Sequence, residues 1–195
     1  MNRSCVAGIL IGGQGRRMGS ATPKHLLTVG DKRLIDPVIS ACNAVASEVL
    51  LVGRGESLDG LERVDDRADS PGPLGGLLGL MDARPGASLL LLACDMPWMT
   101  EEALRWLLNQ RSEDQMAVMP MGSDDRVEPL GAVYEPEALA LLESLDPGSG
   151  PSALAGREKI HSPRPPDELL GAWKSVNDQA SLHLWVQCSS TVTGA

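Results

Sequence analysis

Three apolar stretches, residues 5–11, 49–52 and 88–93, run through without the apolar–polar alternation of a half-exposed strand. A strand with one wet face must alternate, because successive side chains point to opposite sides. A strand that is apolar on both sides has to be covered on both sides, which is the situation of a parallel sheet sandwiched between helices. Stretches with helical character fill the intervals at 33–45, 74–83 and 100–109. Thr100 is placed to cap the third, with Glu101 and Glu102 in its first turn, where the helix dipole favours anions. Residues 116–119 and 129–134 read as two further strands around a polar turn at 122–126. A helix over 137–145 follows and stops at Asp146-Pro147-Gly148. Residues 162–167, with three prolines, suit a loop or an edge strand. A last helix is expected over 179–187. The fold class is therefore α/β: three layers, with a Rossmann-like, mostly parallel sheet flanked by helices. One domain is expected over residues 1–188, with a frayed tail at 189–195.

Composition narrows the function classes. The chain has 195 residues, 43% of them hydrophobic but only 3% aromatic and none phenylalanine, so Leu, Val, Ile, Ala and Met must build the core. The formal charge is −9, which argues against a nucleic-acid track. That charge is unevenly spread: residues 1–33 carry +5 and the remainder −14. A local positive spot is enough for a small anionic ligand. No apolar run approaches membrane-spanning length, and the start lacks a signal-type apolar region. The four cysteines, Cys5, Cys42, Cys94 and Cys188, form no CxxC pair, so a reduced, cytoplasmic protein that touches no membrane is expected.

The positive spot coincides with Leu10-Ile11-Gly12-Gly13-Gln14-Gly15-Arg16-Arg17-Met18-Gly19, directly after the first strand. Glycines let a phosphate approach backbone N–H groups, and Arg16, Arg17 and Lys24 add charged donors. Neither common phosphate motif is satisfied. A Walker A loop needs lysine where Gln14 stands, and a dinucleotide fingerprint needs glycine where Met18 stands.

The strand over 88–93 ends in Cys94-Asp95-Met96-Pro97. Ligands of open α/β sheets sit at the carboxyl ends of strands, so Asp95 lies where a Mg²⁺ held jointly with substrate phosphates would need a carboxylate. The competing role, a cap for the next helix, falls better to Thr100. A second acidic stretch, Asp65-Asp66-Arg67-Ala68-Asp69, leads through Ser70-Pro71-Gly72-Pro73-Leu74-Gly75-Gly76 into a helix opened by Pro73. By itself it reads more readily as a solvated loop than as a site. Asn177, just before the final helix, is a cap candidate as a bare residue. His25, His161 and His183 form no cluster, and no nucleophile elbow is present.

In order along the chain, these stretches resemble the nucleotidyltransferase family of the molybdenum cofactor guanylyltransferases. The family's LAGGxxxRMGxxK is similar to Leu10 through Gly19 with Lys24. Its D…PGPLAG resembles Asp65 through Gly76, and PCDxP resembles Ala93-Cys94-Asp95-Met96-Pro97. PLxALY is similar to Pro129-Leu130-Gly131-Ala132-Val133-Tyr134, and the closing NxNTPEDL resembles Ser175 through Leu182. Ile11 stands in place of the motif's alanine, Gly53 in place of an asparagine, and Ser175 in place of the first closing asparagine.

The resemblance implies a fold like that of the nucleotide-diphospho-sugar transferases and a reaction in which GMP passes from GTP to the terminal phosphate of molybdenum-bearing molybdopterin. It implies nucleotide contacts from Leu10, Ile11, Gly12, Gly13, Gly15, Arg16, Arg17, Gly19, Lys24, Gly53, Asp65, Gly76 and Asp95. Arg17, Lys24 and Asp95 would be catalytic, with Mg²⁺ on Asp95, while Gly72 and Asn177 would serve the acceptor. Implied partners are GTP, the molybdopterin cofactor, and other cofactor-biosynthesis proteins or molybdoenzyme chaperones. Cytidylyl transfer on the same scaffold, and a nucleotide-binding module without turnover, are the competing readings. An ionised acceptor phosphate needs no general base, only positioning and charge neutralisation.

Overall fold

The computed structural model describes residues 4–12, 22–58, 60–146 and 148–191, with side chains described as far as residue 187. Strand β1 (Cys5–Leu10) lies between β4 (Glu48–Val52) and β6 (Ser88–Ala93) and is parallel to both. β5 (Arg63–Val64) extends the sheet beyond β4, also in parallel. On the other side, β8 (Ala132–Tyr134) runs antiparallel to β6, followed by β7 (Ala117–Val118) and β9 (Ile160–His161). The sheet order is thus β5-β4-β1-β6-β8-β7-β9, mostly parallel with β8 reversed. A separate two-stranded hairpin joins β2 (Thr28–Val29) to β3 (Lys32–Arg33).

The unalternated runs are explained by two cores, one on each face. In β1, Ala7, Ile9 and then Ile11 enter one core, whereas Val6 and Leu10 face the other. In β6, Leu90 and Leu92 join the first core, and Leu89 and Leu91 the second. The first core is closed by helices α1 (Asp36–Asn43) and α3 (Glu101–Leu108) and by Trp173. The second is closed by α2 (Pro73–Ala83) and α4 (Leu139–Glu143). Thr100 caps α3 as expected, its Oγ1 accepting from the Ala103 N–H at 3.2 Å.

Several boundaries differ from those expected. Residues 33–35 are not helical: Arg33 ends the hairpin, and Asp36 binds both its backbone N–H and its guanidinium. Pro37 then has to occupy the first helical turn, because further inside it would break a helix hydrogen bond. The strand expected over 129–134 begins only at Ala132, because Gly131 has φ 71°, outside the extended region. Residues 189–191, expected in the tail, continue helix α5 (Gln179–Thr191); residues 192–195 lie outside the described residues.

Helix α2 sets the position of the loop that precedes it. A Cβ at Gly75 would lie 1.7 Å from the Ser70 carbonyl oxygen, and one at Gly79 would lie 2.3 Å from that of Asp65. These two glycines, four apart on one helix face, let the backbone of residues 65–70 lie directly on the helix. The Arg67 N–H donates to the Gly75 carbonyl at 3.0 Å, fixing that approach. Gly75→Ala is expected to destabilise the protein by about 3 kcal/mol, since backbone cannot yield as a side chain does. A urea midpoint lowered at unchanged m-value would show it, and a midpoint equal to wild type would refute the close approach.

Candidate functional site

The carboxyl ends of β1, β4 and β6 open onto a cleft of about 350 Å³. Leu10, Gly12 and Val52 line it at the strand ends, and Ala93, Cys94 and Asp95 where β6 finishes. Gly72 and Pro73 contribute the start of α2, and Leu130 the approach to β8. Alternation explains the selection. Leu10 and Gly12 share one side of the strand, whereas Ile11 points to the other and is buried in the α1–α3 core. Ile11, expected among the nucleotide contacts, therefore does not turn its side chain to the cleft.

At the β6 end, the structure brings together three residues from distant parts of the chain. Lys24, on a one-turn 3₁₀ helix (Lys24–Leu26), places Nζ 2.6 Å from Asp95 Oδ2. The same ammonium donates to Asn177 Oδ1 at 2.8 Å and to the Val176 carbonyl at 3.2 Å. The Val176 N–H in turn donates to the Asp95 carbonyl at 2.8 Å, holding the segment before α5 against the turn after β6. The Lys24 and Asp95 side chains are only 12% and 15% exposed, so their attraction is weakly screened. Asn177 is not the cap of α5. Asp178 takes that role, its Oδ1 accepting from the Ser181 N–H at 2.8 Å, which leaves the Asn177 amide for Lys24.

The opposite end of the cleft carries a carboxylate, but not the expected one. Asp65 is 74% exposed and pairs with Arg63 beside it. Asp66 lines the cleft instead. Its carboxylate sits between Gly53 and Gly76, close enough that a Cβ at either would lie 3.2 or 3.3 Å from Oδ1. Gly53, with φ 105°, and Gly76 thus border the cleft through this carboxylate. Asp66 is the residue that the sequence reading missed. Its signal was alternation: Asp66 shares a side with half-buried Val64, whereas Asp65 shares one with Arg63. Burial raises the Asp66 carboxyl above the usual carboxylate range, with Asp65 adding to the effect and Arg54 and Arg63 opposing it.

Beside Lys24, His25 turns inward and is almost wholly buried, with neither ring nitrogen hydrogen-bonded. Burial lowers its pKa, so the imidazole is held neutral behind the cleft. Burial also pushes the Cys94 thiol up to about 12, which makes it an inert wall. The expectations for Gly13, Gly15, Arg16, Arg17 and Gly19 fall on residues outside the described ones. Among the described residues, no group of three or more His, Cys, Asp or Glu could hold a metal. Hence any Mg²⁺ at Asp95 would depend on substrate oxygens for most of its ligands, which suits an ion that prefers one or two carboxylates plus phosphates and water. Among those residues no helix is long and apolar enough to cross a membrane.

The profile of the MobA-like NTP transferase domain matches residues 7–161. The chain belongs to that family. It is therefore a nucleotidyltransferase, and the cleft spans the part of the chain that the profile covers. A relative from Methanothermobacter thermautotrophicus, named "Probable molybdenum cofactor guanylyltransferase", is 34% identical over 70% of this chain and 74% of its own length. A second relative of the same name, from Pelotomaculum thermopropionicum, is 34% identical over 69% of this chain and 65% of its own, just under two thirds. Among solved structures, molybdopterin-guanine dinucleotide biosynthesis protein A from Archaeoglobus fulgidus superposes with a TM-score of 0.78 at 22% identity, covering 95% of this chain and 99% of that one. At that identity the likeness concerns the fold: a mostly parallel sheet flanked by helices, of the MobA-like type.

Asp66 supplies a test of the site's electrostatics. Its folded pKa is raised, so the native state holds this proton more tightly than the unfolded chain does. The cost of the buried charge therefore grows as pH rises from near 4 through the folded pKa. Asp66→Asn is expected to be more stable than wild type at pH 7, with the advantage shrinking as pH falls towards 4. Denaturant midpoints of both proteins across that range check this, and a pH-independent difference would contradict the buried-carboxylate assignment.

Proposed function

We propose that this chain transfers GMP from GTP to the terminal phosphate of molybdenum-bearing molybdopterin, releasing pyrophosphate. The observation that carries the reading is the Lys24–Asp95–Asn177 cluster at one end of the strand-edge cleft, with the Asp66 carboxylate at the other. Both named relatives carry the activity in their names, and the motifs that resemble the guanylyltransferases are the stretches that build this cleft.

In this reading the purine lies against Leu10 and Val52. A carboxylate at that end favours guanine, whose N1–H and 2-amino group form a donor pair that adenine lacks. Lys24 is the donor for the triphosphate, with Arg17 assigned beside it through the resemblance. The triphosphate competes with Asp95 for the Lys24 ammonium, and moving that ammonium frees both Asp95 and Asn177. Asp95 would hold Mg²⁺ brought with the nucleotide, and the ion would supply Lewis-acid neutralisation of phosphate charge. Asn177 then faces the acceptor. An oxygen of the acceptor phosphate, already ionised, forms the new bond to the α-phosphorus of GTP. The bond to the β-phosphate oxygen breaks, and the electron pair leaves with pyrophosphate. No side-chain base is required, which fits a site whose nearest histidine is buried and unpartnered.

The test is a panel of GTP, CTP, ATP and UTP, each with Mg²⁺ and molybdopterin, following pyrophosphate and the dinucleotide product. GTP is expected to turn over only with the acceptor present. Lys24→Met and Asp95→Ala are expected to lose about 100-fold or more in rate while keeping wild-type circular dichroism. Full turnover by Asp95→Ala would sink the metal assignment, preference for CTP would establish the cytidylyl reading, and tight GTP binding without product would mark a module without turnover.

A further inference from the structure

A second cleft, of about 440 Å³, lies outside the nucleotide site. It is lined by Trp98, by Thr100 and Glu102 at the start of α3, and by Glu168, Lys174 and Leu184. Trp98 is half-buried: it packs against Leu34, Val176 and Trp185 and also lines the cleft. Some surface charges elsewhere are engaged in pairs, as where Arg67 binds Asp82 and Glu143 and Arg84 binds Glu48 and Glu62. Among the described residues, Glu102, Glu168 and Lys174 make no ion pair and no side-chain hydrogen bond, although all three line one cleft. Two unengaged carboxylates beside an aromatic wall suit a flat heterocycle with several N–H donors along one edge.

The cleft is joined to the transfer site through the chain. Trp98 is three residues beyond Asp95, and Lys174 is three residues before Asn177. Three residues span at most about 11 Å. The two stretches are clamped together by the Val176 N–H on the Asp95 carbonyl. A ligand whose phosphate sits at Asp95 and Asn177 has its remaining body within reach of Trp98.

We propose that this second cleft seats the pterin ring of the acceptor. The ring stacks on Trp98, its 2-amino and N3–H donors go to the carboxylates of Glu102 and Glu168, and Lys174 faces the anionic arm. The assignment rests on the guanylyl-transfer reading above for the identity of the acceptor. Guanine has the same 2-amino-4-oxo edge, so the ligand chemistry admits two sources, and the pterin is favoured because the guanine of GTP has its own place at Asp66.

The experiment uses the full chain and a fluorescent probe, 6-hydroxymethylpterin, titrated in the presence of saturating GTP. Binding should quench the pterin through Trp98, and guanosine at equal concentration should displace it poorly. Glu168→Gln and Glu102→Gln are each expected to weaken pterin binding and raise the KM for molybdopterin about tenfold, leaving the Kd for GTP unchanged. Trp98→Leu should abolish the quenching, and because Trp98 also packs internally, the two glutamine variants decide if it fails to fold. Pterin binding that is absent, equal in wild type and both glutamine variants, or displaced by guanosine as readily as by pterin overturns the proposal. Wild type that binds pterin through these residues but makes no dinucleotide supports the seat and overturns the transfer reading.

Discussion

One ammonium group joins the parts of this chain that have to meet. Lys24 Nζ contacts Asp95, 71 residues away, and Asn177, 153 residues away, so the start, middle and end of the chain converge within hydrogen-bond distance. The Lys24–Asp95 pair is only slightly exposed, a setting in which an unpaired charge would be costly and a paired one is held in one geometry. Everything around it provides distance and direction: β6 delivers Asp95, the 3₁₀ turn delivers Lys24, and the capped α5 holds Asn177 in front of it. The same lysine that completes the free protein is also the donor that a triphosphate would recruit. In the proposed transfer, binding and reorganisation of the site would therefore be one event.

The fold was legible because both of its faces are written into single strands. The sequence Leu89-Leu90-Leu91-Leu92 can only be satisfied by helices above and below it, and the two cores divide its residues alternately. What remained hidden was local. Pro37 and Gly131 shift the start of a helix and of a strand by a few residues, through backbone preferences that periodicity does not report. Reversal of β8 was likewise not visible, since an antiparallel strand covered on both faces has the same apolar content as a parallel one.

The candidate site was legible where a charged residue stands out against its place in the sequence. Asp95 and Lys24 stood out as an acid after an apolar run and a cation after a glycine-rich loop, and the structure sets them 2.6 Å apart. Asn177 had no such mark: as a bare residue it was a helix cap, and only the fold shows that Asp178 does the capping. Asp65 and Asp66 differ by one position, which on an extended chain is the difference between solvent and cleft. The glycines of α2 decide how deep that second carboxylate lies, because they set the height of the loop above the helix.

The central place of β1 has a consequence for synthesis on the ribosome. Both of its neighbours come later in the chain, β4 ending at residue 52 and β6 at residue 93. Until residue 52 is made, a run of six uncharged residues has neither edge hydrogen-bonded, and until residue 93 is made the edge that β6 takes stays open. Pairings this far apart in sequence form slowly, and unpaired apolar strands of this kind associate with one another. Nascent chains halted before residue 93 should accordingly be far more chaperone-dependent than chains that extend past it.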